Sequence, residues 1–327
     1  MIRPLCVHIG LPKTATTMLQ RGLFANHSEI EFLGKRAGKR GDAKRHRCSS
    51  DAAFRLGNQL FWDHALSIDL EEARRVYHDE ILPTIGFDRL PVFSFEGLGA
   101  ETLARREAVA RNLRDAFDSC QVIIGIRRPV EWVEAGYFHR LKRCHLGEHA
   151  KRFEFLRSPS PEAWLKSVVA GKEMAAHLDY ARTIGIFVEA LGRSNVGVFA
   201  LEQLESDPLV FARSLCRFLV IGEEEGTRLL AGHRYNARLS QSVVDRMLGY
   251  ERPGFASVVY AMARRKTRKR MVGFRRNSSN EADEAAEAAR LSIPQSFVEA
   301  IGVMTRDSNQ WIAKEWGLPL EDYGYPV

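Results

Sequence analysis

The sequence holds no run of about eighteen consecutive apolar residues, which excludes a membrane-spanning helix on hydropathy. It has no C-x-x-C pair either. Its five cysteines, Cys6, Cys48, Cys120, Cys144 and Cys216, are odd in number and scattered over 327 residues, which argues against a disulfide framework or a structural zinc site and for a reducing compartment. No charged-then-apolar leader follows Met1, and no internal repeat or linker-like run breaks the chain. A soluble, cytoplasmic protein is expected. With 45% hydrophobic and 27% charged residues, wholesale disorder, collagen-like repeats and coiled-coil bias are also excluded.

Charge is present but unevenly placed. Two segments carry the formal +7: Lys35 to Arg47, seven bases against the single acid Asp42, and Arg264 to Arg276, eight bases and no acid. Removing the second group alone would take the balance to −1. Such runs attract polyanions or anionic lipid headgroups, or they are solvated loops. An anionic membrane or a polyanion is therefore a candidate peripheral contact, most of all where the apolar stretch Phe255 to Met262 adjoins the second run.

Strand-like runs alternate with helical patterns. Pro4 to Ile9, Leu90 to Phe95, Cys120 to Ile126 and Asn195 to Leu201 read as buried strands. Helical patterns cover Thr14 to Phe24, Ile68 to Ile81, Glu101 to Phe117, Pro129 to about Leu141, Pro161 to Leu191, Pro208 to Leu219 and Pro294 to Gly317. Gly34 to Ser50 reads as a loop, and Ser278 with Glu281 as a capping box for a helix through Leu291. The expected fold is α/β: a P-loop-like parallel sheet flanked by helices on both faces, with a helical C-terminal region. A single domain, 1–327, is expected, with an α/β core over 1–220 and a mainly helical extension over 221–327.

The first strand ends at Gly10 and the next helix starts near Thr14, which aims free N–H groups and the positive dipole end above the sheet edge. Lys13 adds a full charge there, Thr14, Thr16 and Thr17 add hydroxyl donors, and Ala15 is small enough for close backbone approach. This is the logic of a phosphate-binding loop. It is not the nucleotide triphosphatase version, G-x-x-x-x-G-K-[ST], because no glycine precedes Lys13. The other reading is a threonine-rich helix cap with a surface lysine.

Four stretches in order carry a family resemblance. His8 to Gln20, HIGLPKTATTMLQ, resembles the 5′-phosphosulfate loop of sulfotransferases that use 3′-phosphoadenylyl sulfate (PAPS). Ile123 to Tyr137, IIGIRRPVEWVEAGY, resembles their second signature, which holds the 3′-phosphate. Leu178 to Leu204 and Asp307 to Pro326 are similar to the bacterial, carbohydrate-type members. The resemblance implies PAPS as donor, 3′,5′-adenosine bisphosphate as product, no metal, and a hydroxyl acceptor on a glycan or glycolipid; no nucleic-acid partner is expected. It implies that Lys13, Thr14, Ala15, Thr16, Thr17 and Arg127 bind the nucleotide. One departure stands out: the family serine eight positions after the arginine is Ala135 here, with Arg128 or Tyr137 as replacement donors.

Sulfuryl transfer needs charge stabilised on the leaving oxygen, the place for Lys13, and a base for the acceptor hydroxyl. Glu96, after the strand ending in Phe95, is the candidate base by similarity to glycan-type members; capping the next helix is its other reading. His8 reads as a core or edge histidine, Cys144, His145 and His149 as loop residues rather than a metal set, and Glu202 as a local hydrogen-bonding group. Two other functions stay open: a Mg²⁺-dependent phosphotransferase and a non-catalytic polyanion binder.

Overall fold

Cys120, Val122, Ile123, Ile124 and Ile126 are all buried, on both faces of one strand, as in the centre of a parallel sheet. In a computed structural model of the chain, which describes residues 3–11, 13–35, 47–61, 65–86, 88–95, 98, 101–147, 154–171, 175–231, 239–263, 265–274 and 288–327, that sheet has six strands. They are β1 (Leu5–Gly10), β2 (Ile30–Lys35), β3 (Arg47–Cys48), β4 (Leu90–Ser94), β5 (Cys120–Ile126) and β6 (Val196–Ala200), in the order β3-β2-β4-β1-β5-β6. Five run parallel, and the short edge strand β3 is antiparallel to β2. The chain goes from β1 to β2 on one side of the sheet and from β5 to β6 on the other. The connections leaving the adjacent strands β1 and β5 therefore run in opposite directions, the switch point at which open α/β sheets bind ligands beyond the carboxyl ends of their strands.

Helix α1 (Thr16–Met18) continues as a π-helical stretch, Leu19–Phe24. Helices α2 (Asp51–Phe61) and α3 (Leu70–Arg75) follow, the latter running into a second π-helical stretch, Val76–Ile81. Then come α4 (Leu103–Ala116), α5 (Pro129–Leu146), α6 (Pro161–Val169), α7 (Ala175–Leu178) and α8 (Tyr180–Leu191). Thr102, Ser160 and Asp179 accept hydrogen bonds from first-turn N–H groups of α4, α6 and α8, which fixes those starts. The remaining helices are α9 (Leu201–Ser206), α10 (Pro208–Leu219), α11 (Glu223–Leu230), α12 (Gln241–Glu251), α13 (Phe255–Met262), α14 (Arg265–Met271) and α15 (Gln295–Trp316).

By its contacts the chain divides into two compact units, one of Met1–Arg128, Ala176–His233 and Gly302–Val327, the other of Pro129–Ala175 and Arg234–Ile301. In the first, alternate residues of β1 serve opposite faces. Leu5, Val7 and Ile9 pack with α2, α4 and α8, whereas Cys6 joins Leu23, Phe24, Phe211 and Leu215 of the first helix and α10. Helices thus cover both faces, as the alternating sequence pattern requires. The second unit has its own core of Leu141, Leu146, Val243, Val244, Met247, Tyr260 and Val272.

Some expectations are corrected. Gly34 and Lys35, which end β2, and Arg47–Cys48 are strand residues where Gly34 to Ser50 reads as loop, because backbone pairing to β4 and between the two strands outweighs their weak local pattern. The stretch Pro161 to Leu191 is broken into pieces, each with its own start. α5 extends to Leu146, so Cys144 and His145 are buried helical residues rather than loop residues. Ala288 to Leu291 are not helical. The capping pair Ser278 and Glu281 lies outside the described residues, as do Glu96, His149 and residues 36–46 of the first basic run.

Candidate functional site

Gly10 and Gly125 face each other in register where β1 and β5 end, and the absence of side chains there lets the following loop settle onto the sheet. A Cβ on Gly10 would overlap the Thr16 methyl, and one on Gly125 would lie 2.9 Å from Thr14 Oγ1. Thr14 and Thr16 are buried against these glycines, and Thr14 Oγ1 donates to Leu11 O at 2.7 Å, closing the turn. Lys13 and Ala15 both take positive φ, 76° and 55°. Left-handed residues in a turn swing successive N–H groups toward one point, the geometry of an anion-binding nest. Lys13 is exposed, Thr17 half-buried, and no acid stands between Gly10 and Phe24. The loop's side chains bring hydroxyl donors and positive charge and no carboxylate.

Arg127, one residue past β5, is 7% exposed and reaches this loop, its Nη1 donating to Lys13 O at 3.3 Å. Its own carbonyl accepts from the Tyr180 hydroxyl at 2.7 Å. Next to it, Arg128 N–H donates to Glu202 Oε1 at 2.8 Å, and Tyr325 Oη donates to Glu202 Oε2 at 2.7 Å. Arg128 Nη1 also donates to Tyr323 O at 3.4 Å. Burial first, and then the nearby Glu202, pushes the phenols of Tyr180 and Tyr325 well above the usual tyrosine value, so both remain protonated donors. Glu202 is thus a hydrogen-bonding group, but its partners Arg128 and Tyr325 are distant in sequence rather than local as expected. Tyr180 and Tyr325 carry no sequence signal for this role, since their partners lie 53 and 123 positions away.

A second buried network lies on the β4 side. His8 Nδ1 and Ser94 Oγ are 2.8 Å apart, and Gln20 Nε2 donates to the same Oγ at 2.8 Å. His8 packs edge-on against Phe24 at 5.4 Å between centroids. It is a core histidine joining β1, β4 and the first helix. Phe95 N–H donates to His8 O at 2.8 Å, so the pairing runs to the residue before Glu96. Behind the loop lies a small, mostly apolar cavity lined by Thr14, Ala15, Leu19, Ile123, Phe199 and Phe211.

The structure therefore brings Lys13, Thr14, Ala15, Thr16, Thr17 and Arg127 together at the carboxyl ends of β1 and β5. Ala135 is half-buried on α5 and offers no hydroxyl. His145 makes contacts of 3.2 Å to Tyr260 Oη and 3.1 Å to Glu251 Oε1. Among the described residues no group of three or more His, Cys, Asp or Glu is arranged to hold a metal ion.

No family model and no curated protein matches the chain. Among solved structures it is similar to a sulfotransferase from Alicyclobacillus acidocaldarius, at 17% identity and a TM-score of 0.41 over 85% of this chain and 98% of that one. It is also similar to a mouse sulfotransferase complexed with PAP, at 11% identity and a TM-score of 0.46 over 98% of this chain and 88% of that one. A sulfotransferase domain from the curacin biosynthetic pathway aligns at 14% identity and a TM-score of 0.41, covering 97% and 98% of the two chains. Overlaps of this extent leave the functional argument with the loop and its own residues.

Proposed function

We propose that the chain is a cytoplasmic sulfotransferase that moves a sulfuryl group from PAPS to a hydroxyl of a carbohydrate or glycolipid-type acceptor. The observation that carries this reading is the carboxylate-free loop after β1, with its lysine and threonine side chains. Its exposed Lys13 and its left-handed Lys13 and Ala15 stand at the topological switch point between β1 and β5, with Arg127 held against the loop's carbonyl. The ordered likeness of four sequence stretches supports it. Hydrogen bonds join residues of all four: Arg127 to Lys13 and Tyr180, and Arg128 to Glu202, which in turn accepts from Tyr325.

PAPS supplies an activated sulfuryl group and leaves as 3′,5′-adenosine bisphosphate. In this reading the loop N–H groups with Thr16 and Thr17 hold the 5′-phosphate, and Thr14 holds the loop's shape through Leu11 O. The Lys13 ammonium neutralises charge on the departing oxygen. Arg127 has five N–H donors; one goes to Lys13 O, and we assign others to the 3′-phosphate, where a planar guanidinium suits a phosphate edge. Glu96 accepts the proton of the acceptor hydroxyl as its oxygen attacks sulfur.

Calorimetry with 3′,5′-adenosine bisphosphate against ATP tests the reading. The bisphosphate should bind and ATP should bind far more weakly; equal affinity, or ATP preferred in the presence of Mg²⁺, favours a phosphotransferase instead. Lys13→Ala should lower turnover by about 10²-fold to 10³-fold. Full retention of turnover would remove Lys13 from the mechanism. Arg127→Lys separates two roles: loss of bisphosphate affinity with adenosine 5′-phosphate unaffected marks a 3′-phosphate contact, whereas equal loss of both marks a loop-holding residue only.

A further inference from the structure

Helix α13 shows two apolar faces, and only one of them is buried. Ser257, Tyr260 and Ala261 point into the core of the second unit. Phe255, Val258, Val259 and Met262 recur at the i, i+3, i+4, i+7 spacing of a single helical stripe and are 86%, 42%, 42% and 66% exposed. Other exposed large hydrophobic residues, such as Leu66 and Val220, do not form such a stripe. A stripe of this period turned to water marks a docking face rather than scatter.

The neighbouring charges identify the occupant. The sequence from Arg252 to Asn280 has no acid and nine bases, of which Arg252, Arg265, Lys266, Arg268, Lys269 and Arg270 are among the described residues. Helix α14 is fixed beside α13 by the buried Arg268, whose guanidinium sits 5.9 Å from the centroid of the Tyr260 ring, itself stacked on Tyr250 at 4.2 Å. Lys266 and Arg270 of α14, four residues apart on one face, are exposed, as is Arg252 at the end of α12. A soluble polyanion would meet these bases but leave Phe255 and Met262 in water. A second copy of the chain would cover the stripe but set like charges against each other. An anionic bilayer satisfies both, with an apolar layer for the stripe and headgroup phosphates for the bases.

We propose that α13 and α14 form a peripheral docking surface for an anionic lipid bilayer. Phe255 and Met262 enter the interface, and Lys266 and Arg270 lie at headgroup level. The proposal does not rest on the sulfuryl-transfer reading and stands or falls separately from it.

Co-sedimentation of the full chain with phosphatidylcholine vesicles, with and without roughly 30% phosphatidylglycerol, tests it. Partitioning should be at least about tenfold stronger on the anionic vesicles and should weaken as salt rises from about 0.1 to 0.5 M. The pair Phe255→Ser with Met262→Ser should cut binding by about tenfold at an unchanged thermal midpoint. The pair Lys266→Glu with Arg270→Glu should cut it by more than about tenfold. Equal binding to neutral vesicles, or none to either, overturns the proposal. So does a drop of several degrees in the midpoint of the serine pair, which would show the stripe packed within the chain. Heparin retention unaffected by the serine pair, without vesicle binding, would assign the surface to soluble polyanions. A dimer dissolved by Phe255→Ser would assign it to a second copy.

Discussion

Ala15 holds a backbone angle that favours glycine, φ 55° and ψ 16°, at the point where the loop turns into the first helix. A Cβ in the left-handed region costs about 1 kcal/mol, and strain of this kind persists where surrounding contacts fix it. Here the fixing contacts are Ala15 O, which accepts from Met18 and Leu19 N–H at 2.8 and 3.1 Å, and Arg127 on Lys13 O. Ala15→Gly should relieve the strain and raise stability by up to about 1 kcal/mol, the greater freedom of the unfolded glycine offsetting part of the gain. Urea denaturation should show a higher midpoint at an unchanged slope, and a lower midpoint would mean that the methyl contacts in the apolar cavity behind the loop outweigh the strain. Lys13, at φ 76°, carries the same kind of strain at the residue that carries the charge. The identity of that residue was legible from its place between a strand and a helix, but its backbone angle was not.

At the scale of elements, what positions the loop is the pairing of β1 and β5 through two glycines opposite each other, Gly10 at the end of β1 and Gly125 one residue before the end of β5. Gly125→Ala would place a Cβ 2.9 Å from Thr14 Oγ1, and Thr14 cannot give way without releasing Leu11 O. Overpacking of this kind costs about 1–3 kcal/mol. The loop should shift rather than the sheet, because β5 is held on both sides by β1 and β6. The expected result is nucleotide affinity reduced by about tenfold or more, with unchanged far-UV circular dichroism; affinity equal to that of the parent chain would show that the loop tolerates the displacement. The sequence marks the strands β1, β4, β5 and β6 closely because their apolar runs are buried on both faces. It marks the starts of α5, α6 and α10 because proline opens each of them. The π-helical stretches and strands β2 and β3 escape local reading, since winding and pairing there follow from neighbours that only the folded sheet supplies.

For the whole molecule, buried phenols and thiols set a limit on the alkaline side. Burial pushes Cys48 up to about 11 and Cys216 and Tyr137 up to about 12, and it raises Tyr180 and Tyr325 as well. The same groups in the unfolded chain ionise near about 8.5 for thiols and 10 for phenols. A folded value above the unfolded one means stability that is complete below the unfolded value and lost as pH rises through the folded one. The urea midpoint should therefore hold between neutrality and about pH 8.5 and fall steadily above it. A midpoint flat to about pH 11 would mean that these groups are wetter than the fold makes them. Across the same molecule the division between sequence and tertiary structure is clear. Residue order by itself determined the alternation of strands and helices, the basic loop after β1 and the two basic runs, because each depends on neighbours a few positions away. Only the tertiary structure decided that Arg127 reaches Lys13 O, that His8, Ser94 and Gln20 share one hydrogen-bonded cluster, and that α13 turns its second apolar face to water. Each of these joins or exposes groups through packing between distant segments, which local periodicity does not encode.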